Sequence, residues 1–130
     1  LAETRRQLLP RDAAGRSTVL QWVFMQVGSV GPMLGQLWWF RHAARQPNPP
    51  ALERYTREAH RLYRVVDGRL AHSRYVGGPD YSIADIAMFP WLRTSEELGI
   101  DMGAYPNVRR WLDELALRPA VQAGLAAARA

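Results

Sequence analysis

Apolar residues recur along most of the chain at spacings of three and four, the pattern of a helix that buries one face. Residues 13–44 carry one such stripe, and residues 50–73 carry a second with arginines and acids opposite it. The first stripe contains Val19, Trp22, Val23, Gln26, Val30, Met33 and Leu37, and the second contains Leu52, Tyr55, Ala59, Leu62, Tyr63, Val66 and Leu70. No segment alternates apolar and polar residues between hairpin turns, so the pattern predicts two long helices and no sheet.

Proline and glycine mark the limits of the predicted helices. Pro32 follows a glycine inside the first stripe, and because the apolar pattern resumes after it we expect a kink rather than an end. RQPNPP, residues 45–50, is predicted as a loop, and GGPD, residues 77–80, ends the second long helix. Pro106 and Pro119 are each expected at the first position of a shorter helix. The sequence therefore predicts an all-α helical bundle of two long helices and three or more shorter ones.

The segment YSIADIAMF, residues 81–89, places one acid in an apolar run. A lone buried carboxylate costs several kcal/mol unless it is hydrogen-bonded. Ser82 and Asp85 have the spacing of a capping box, in which the serine hydroxyl accepts from the Asp85 amide and the carboxylate accepts from the Ser82 amide. Tyr81 and Ile86 are expected to form the accompanying hydrophobic staple. We interpret Asp85 as part of the scaffold rather than as a catalyst.

Composition limits the class of protein. The chain has 130 residues, which is one domain or a piece of one and enough to bury a core, and with 48% hydrophobic residues it is too apolar for disorder. It contains no cysteine, so it carries no disulfide, thiolate zinc site or cysteine nucleophile. No apolar stretch reaches the roughly 18 residues of a membrane span, and LAETRRQLLP lacks the apolar core of a signal peptide. We expect a cytoplasmic protein without a membrane partner.

The net charge is +5, and all 17 basic residues are arginines scattered along the chain. Glu53 with Arg57, and Arg54 with Glu58, have the spacing of ion pairs on a solvated helix face. We therefore expect no nucleic-acid partner, and interpret the charge as a basic rim for an anionic small molecule.

The sequence offers no catalytic or metal-binding constellation. No two of the three histidines, His42, His60 and His72, have the spacing of a metal pair on one helix face. VGSVGP lies in a predicted helix and lacks the lysine and hydroxyl of a phosphate loop. Ser82 has no histidine at a spacing that would activate it. We predict no metal and no catalytic residue within this chain.

Gly28, Gly31 and Gly35 follow one another at spacings of three and four inside the first long helix, where each costs up to about 1 kcal/mol relative to alanine. Two explanations remain open. The missing side chains either permit close packing of helices or open a groove in which a ligand or another domain approaches the backbone.

Together these segments resemble the C-terminal helical domain of a cytosolic glutathione transferase. YSIADIAMFPW is similar to the capping-box signature of that family, and YPNVRRWLDELALRPAV resembles the run in its last helices. QWVFMQVGSVGPMLGQLWWF and ALERYTREAHRLYRVVDGRL resemble the nu class, whose members are glutathione-dependent disulfide-bond oxidoreductases. LAETRRQLLP resembles the end of the preceding thioredoxin-like domain with its linker, so the resemblance divides the chain into residues 1–12 and a helical domain over residues 13–130.

The resemblance implies a division of labour. In the family the thioredoxin-like domain binds most of the co-substrate glutathione and activates its thiol, so this chain alone is expected to be inactive. The helical domain supplies a wall of the electrophile pocket, which corresponds here to Val27, Gly28 and Gly31, and part of a homodimer interface. The arginine of the ERY motif contacts a glutathione carboxylate and matches Arg54. LWWF, residues 37–40, replaces a polar, histidine-rich segment of close relatives.

Two functions are compatible with this resemblance. The first is a glutathione transferase whose whole chain binds glutathione or its disulfide and performs thiol transfer, disulfide reduction or conjugation of a small electrophile. The alternative is a non-catalytic interaction module, because the same helical fold also serves as a docking domain in translation factors and assemblies.

Overall fold

The computed structural model describes residues 2–5 and 7–128; residues 1, 6, 129 and 130, which belong to the predicted ranges 1–12 and 13–130, lie outside the described part. Within the described part the chain forms seven α-helices and no strand, which confirms the predicted all-α fold. The helices are α1 (Ala2–Arg5), α2 (Ala13–Met25), α3 (Gly31–His42), α4 (Pro49–Ala71), α5 (Ile83–Leu92), α6 (Pro106–Ala116) and α7 (Pro119–Ala127). Searched over these residues, no helix is long and apolar enough to cross a membrane.

The first long helix is α2 and α3 joined by a π-helical turn, Gln26–Val30. In this turn the Gly31 amide donates to the Gln26 carbonyl, five residues earlier. Pro32 has no amide hydrogen, and in a regular α-helix its ring would clash with the carbonyl four residues before it. The wider π turn relieves that conflict, so the helix continues through Pro32 as predicted, with a π turn directly before the proline.

The second long helix, α4, begins and ends within two residues of its predicted limits. The Asn48 side chain caps its start by accepting from the Ala51 amide at 3.1 Å. The predicted stripe is confirmed, because five of its members are fully buried: Ala59, Leu62, Tyr63, Val66 and Leu70. The Tyr63 hydroxyl donates to the Leu92 carbonyl at 2.8 Å and so ties α4 to the end of α5. Burial, and secondarily the nearby Tyr105, raises the pKa of Tyr63 above its usual range, which keeps this hydroxyl a donor.

Helices α4 and α6 cap each other. The Asp67 carboxylate of α4 accepts from the backbone amides of Asn107 and Val108, at 2.8 and 3.0 Å, at the start of α6. The Arg110 guanidinium of α6 in turn donates to the Leu70 carbonyl at 3.1 Å at the end of α4. These bonds satisfy helix-end groups that no local side chain reaches, and they set how α6 lies on α4.

The capping box at the start of α5 is present, with both reciprocal bonds between Ser82 and Asp85. The Asp85 carboxylate has no exposed surface. Ile86, the second residue of the predicted staple, is 44% exposed, and its contact with Tyr81 stays a prediction. The ring of Tyr81 packs edge-to-face against Tyr75, with centroids 5.8 Å apart, and under the Arg118 guanidinium at 3.8 Å.

Candidate functional site

Two surface grooves flank α3. The first, which we call the arginine groove, has a volume of about 490 Å³ and lies between α3 and α4. The second, the π-turn groove, has a volume of about 450 Å³ and lies between the π turn, α3 and α5. The arginine groove is lined by Met33, Arg54, Tyr55, Arg57, Glu58, Arg61 and Arg64, and the π-turn groove by Gln26, Val27, Gly31, Pro32, Gly35, Gln36 and Trp91. Arg54 therefore lines one groove and Val27 and Gly31 line another on the other side of the same helix, whereas Gly28 lines neither.

The four arginines of the arginine groove lie on one side of α4. Arg54, Arg57, Arg61 and Arg64 follow one another at spacings of three, four and three residues, which places their side chains in one row. All four are exposed. At a rise of about 1.5 Å per residue, the row extends roughly 15 Å along the helix axis.

The acids beside this row are unevenly distributed. Glu58 accepts two hydrogen bonds from the Arg61 guanidinium, at 2.8 and 2.6 Å. The side-chain hydrogen bond from Arg61 is the main cause that lowers the pKa of Glu58, and the charges of Arg61 and Arg54 add to it. The predicted pair of Glu53 with Arg57 is confirmed at 3.8 Å, with both side chains largely exposed.

The predicted pair of Arg54 with Glu58 does not form, because Glu58 is engaged by Arg61 instead. Among the described residues, neither Arg54 nor Arg64 has a hydrogen-bond or ion-pair partner. Two guanidinium groups of the row are therefore free to bind an anion.

The floor of the arginine groove is apolar and supported from below. Tyr55 is half-buried, and its ring stacks on that of Phe40, with centroids 5.5 Å apart and planes 17° from parallel. Met33 of α3, also half-buried, closes the other side. A ligand in this groove would rest its apolar part on Tyr55 and Met33 and present its charge to the arginines.

The sequence left two explanations for Gly28, Gly31 and Gly35, close packing of helices or an open surface, and the structure shows both. A Cβ at Gly31 would lie 3.3 Å from Trp91 and 2.8 Å from the side-chain nitrogen Nε2 of Gln26, and one at Gly35 would lie 3.5 Å from Trp91. These two glycines thus allow the indole of α5 to pack against the helix backbone. At Gly28 a Cβ would meet nothing within 4 Å, and the neighbouring Val27 is 61% exposed. The backbone at Gly28 and the side chain of Val27 are therefore accessible to a ligand or a second domain.

Two of the three histidines have structural partners, and the third, His72, is exposed. His42 Nε2 lies 2.8 Å from the Glu97 carbonyl oxygen, and His60 Nδ1 lies 2.7 Å from the Tyr105 hydroxyl. Within residues 2–5 and 7–128, no three His, Cys, Asp or Glu side chains are grouped so that they could hold a metal ion.

Arg54 was predicted as a site residue from the sequence, and that role stays a prediction. The row that continues from it was not predicted, although the sequence carries a signal for it, because Arg57, Arg61 and Arg64 follow Arg54 at helical spacing. The position of Trp91 over Gly31 and Gly35 had no local signal, since about 60 residues separate the indole from the glycines.

This architecture matches known proteins over nearly its whole length. Residues 18–119 match the family Glutathione S-transferase, C-terminal domain. The chain is 47% identical over 120 residues to Disulfide-bond oxidoreductase YfcG of Escherichia coli strain K12, covering 92% of this chain and 56% of that protein.

Two solved structures show the same fold with ligands bound. A glutathione transferase from Burkholderia graminis, with two glutathione molecules bound per subunit, has a TM-score of 0.88 and 41% identity and covers 95% of this chain and 55% of that chain. A glutathione transferase from Pseudomonas putida, with one glutathione disulfide bound per subunit, has a TM-score of 0.87 and 38% identity. The match covers 95% of this chain and 56% of that chain. The chain spans about half the length of these relatives.

Proposed function

Because the chain belongs to the glutathione S-transferase family through its C-terminal domain, we propose that it is the helical half of a glutathione-dependent disulfide-bond oxidoreductase. In this proposal residues 1–12 are the end of a thioredoxin-like domain with its linker, and residues 13–130 are the helical domain. The thioredoxin-like domain supplies the group that stabilises the glutathione thiolate. The whole protein works in the cytoplasm as a homodimer.

Arg54 is proposed to bind a carboxylate of glutathione. Its guanidinium is exposed at the arginine groove and has no partner among the described residues. A guanidinium can donate two parallel hydrogen bonds to one carboxylate, an arrangement that the point charge of lysine does not reproduce. This free guanidinium beside an apolar floor is the observation that carries the proposal.

Val27, Gly28 and Gly31 are proposed to form one wall of the pocket for the second substrate. The open surface at Gly28 and the exposed Val27 side chain support this role, because a substrate there meets backbone and one aliphatic group. Gly31 contributes differently, since its missing side chain lets Trp91 extend the same wall.

The reaction proposed for the whole protein is reduction of a small disulfide by two glutathione molecules. One glutathione thiolate attacks a sulfur of the substrate, forms a mixed disulfide and releases one thiol. A second glutathione thiolate attacks the glutathione sulfur of the mixed disulfide and releases the second thiol. Glutathione is oxidised to its disulfide by two electrons and the substrate is reduced to two thiols. Similarity to YfcG and to a structure with bound glutathione disulfide favours this reaction over conjugation of an electrophile.

The test is the glutathione affinity of Arg54 variants in the full-length protein, measured by calorimetry. Arg54→Ala should weaken binding about 10- to 150-fold, equivalent to roughly 1.5–3 kcal/mol for a charge-assisted hydrogen bond. Arg54→Lys should recover part of the affinity, and the melting temperature should stay unchanged because the side chain is exposed.

Arg109→Ala is the matched control, since Arg109 is also exposed on a helix but lines neither groove. Parental affinity in Arg54→Ala would remove Arg54 from the glutathione site. A full-length protein that binds no glutathione at all would favour the non-catalytic interaction module.

A further inference from the structure

We propose that the main-chain carbonyl of Val27, left without a helical donor by the π turn, accepts a hydrogen bond from the second substrate. The protein then selects disulfides that carry an amide N–H in an uncharged arm. This inference rests on the proposed function, because it takes Val27 as part of the wall of the second-substrate pocket. It adds the chemical class of the disulfide that glutathione reduces.

The Val27 carbonyl has lost both helical donors that could reach it. In a regular α-helix it would accept from the Gly31 amide, but that amide donates to the Gln26 carbonyl instead. In a π-helix it would accept from residue 32, and the proline there has no amide hydrogen. The α-helical donor of the Gly28 carbonyl is missing for the same reason. The π turn and its proline thus leave a main-chain acceptor in the middle of a long helix.

This acceptor is directed at the π-turn groove. The carbonyls of an α-helix point towards its C-terminal end, so the Val27 carbonyl points at the turn that contains Gly31 and Pro32. Val27, Gly31 and Pro32 all line the groove. The Val27 side chain is exposed, and Gly28 and Gly31 have no side chain that would cover the carbonyl. A donor on a molecule in the groove is therefore in a position to replace water at this oxygen.

The other groups of the groove suit an amide and disfavour a charge. Gln26 and Gln36 are its polar side chains, and none of the side chains that line it is charged. Gln26 Nε2 lies 2.8 Å from the position of a Cβ at Gly31, which places a donor beside the free acceptor. An amide has one N–H and one carbonyl, so it can bond to the Val27 carbonyl and to Gln26 together. A charged arm would lose water here without gaining an opposite charge.

The experiment compares two neutral disulfides as substrates of the full-length protein with saturating glutathione. They are the bis(N-methylamide) and the dimethyl ester of dithiodipropionic acid, which have nearly the same shape and differ by an N–H or an oxygen in each arm. Each kcat/KM is divided by the rate constant of the uncatalysed reaction with glutathione, so that intrinsic sulfur reactivity cancels. In the parent the corrected value should be about fivefold higher for the amide, the effect of one neutral hydrogen bond.

Pro32→Ala tests the origin of this preference. It supplies an amide hydrogen that can donate to the Val27 or Gly28 carbonyl, so the corrected amide-to-ester ratio should fall to about one. Pro90→Ala is the matched control and should keep the parental ratio. Pro90 also lies inside a helix and is exposed, but it lines neither groove.

The comparison in the parent needs no variant, and equal corrected values for the amide and the ester would by themselves overturn the inference. A parental ratio in folded Pro32→Ala would also overturn it. Either result leaves the proposed function standing. A full-length protein that reduces neither disulfide with glutathione would overturn the proposed function and this inference with it.

Discussion

The indole Nε1 of Trp111 donates a hydrogen bond to the Asp85 carboxylate at 3.0 Å, across 26 residues of sequence. Both side chains are fully buried. The same carboxylate oxygen accepts from the Val76 amide at 3.0 Å, and the other oxygen accepts from the amide and hydroxyl of Ser82 at 2.9 and 3.0 Å. One carboxylate thus joins α5, α6 and the segment before α5, and it is satisfied by four donors.

Replacing this carboxylate should be strongly destabilising. Asp85→Ala leaves the Trp111, Val76 and Ser82 donors buried without acceptors, and we expect a loss of about 3 kcal/mol or more. Asp85→Asn should cost less, because the oxygen of the asparagine side chain can still accept from one pair of donors. It should not restore full stability, because the asparagine NH₂ group would face the other pair of donors. Urea unfolding of both variants measures the difference.

The control for this prediction is Asp80→Ala, which removes an exposed carboxylate five residues earlier. It should change the free energy of unfolding by less than about 0.5 kcal/mol. If Asp85→Ala unfolds like Asp80→Ala, the carboxylate does not hold the three segments together.

Two glycine-to-alanine changes should have opposite effects. At Gly68, in the regular part of α4, a Cβ meets nothing within 4 Å, so Gly68→Ala should stabilise the protein by roughly 0.5–1 kcal/mol. At Gly31 a Cβ would press on Gln26 and Trp91, so Gly31→Ala should destabilise it by about 1–3 kcal/mol. Thermal melts of the pair check both signs, and stabilisation by Gly31→Ala would contradict the packing of Trp91 on the π turn.

The stability contributed by Glu114 should depend on pH. Burial alone would raise the pKa of this carboxyl, but hydrogen bonds from Tyr75 and Arg74, with the charges of Arg74 and Arg110, give a net lowering of the pKa below its ordinary value. A carboxyl with a lowered folded-state pKa stabilises the fold above its unfolded pKa and loses that contribution as the pH falls through the folded value. Glu114→Gln should therefore be less stable than the parent at neutral pH, and the difference should shrink once the pH falls below the ordinary glutamate pKa of about 4.3 and vanish only below the lowered folded-state pKa.

Unfolding in urea between about pH 7 and pH 3 tests this dependence. Asp113→Asn is the matched control, because it removes the adjacent, exposed carboxylate of the same helix and should show a smaller difference at every pH. A constant difference between Glu114→Gln and the parent over this range would contradict the assignment.

The 130-residue chain by itself should fold and yet show no glutathione-dependent turnover. It has a continuous core drawn from every helix between α2 and α6, and the proposed function assigns activation of the thiol to the thioredoxin-like domain. Cooperative unfolding followed by circular dichroism checks the first part, and an assay with glutathione and hydroxyethyl disulfide checks the second. Measurable turnover by this chain would contradict the proposed division of labour.

Local features of this protein were determined by its sequence. The buried stripe of α4, the capping box of Ser82 with Asp85, and the start of α6 at Pro106 and of α7 at Pro119 all depend on residues within a few positions of each other. Helical periodicity, the N-cap preference and the fixed φ of proline act over that distance, so the pattern of residues was enough to predict them.

The relationships between helices were decided only by the tertiary structure. Asp85 was predicted as a local cap, but its bond to Trp111 requires α6 to lie on α5. Arg54 was predicted to pair with Glu58, but Glu58 pairs with Arg61 instead. Pairs three and four residues apart are both possible on a helix, and the geometry of the side chains decides which of them forms. The groove beside Arg54 exists because α3 packs on α4 and brings Met33 next to Tyr55. Periodicity determines which face of a helix is buried, whereas the partner that covers that face is determined by packing between segments far apart in the chain.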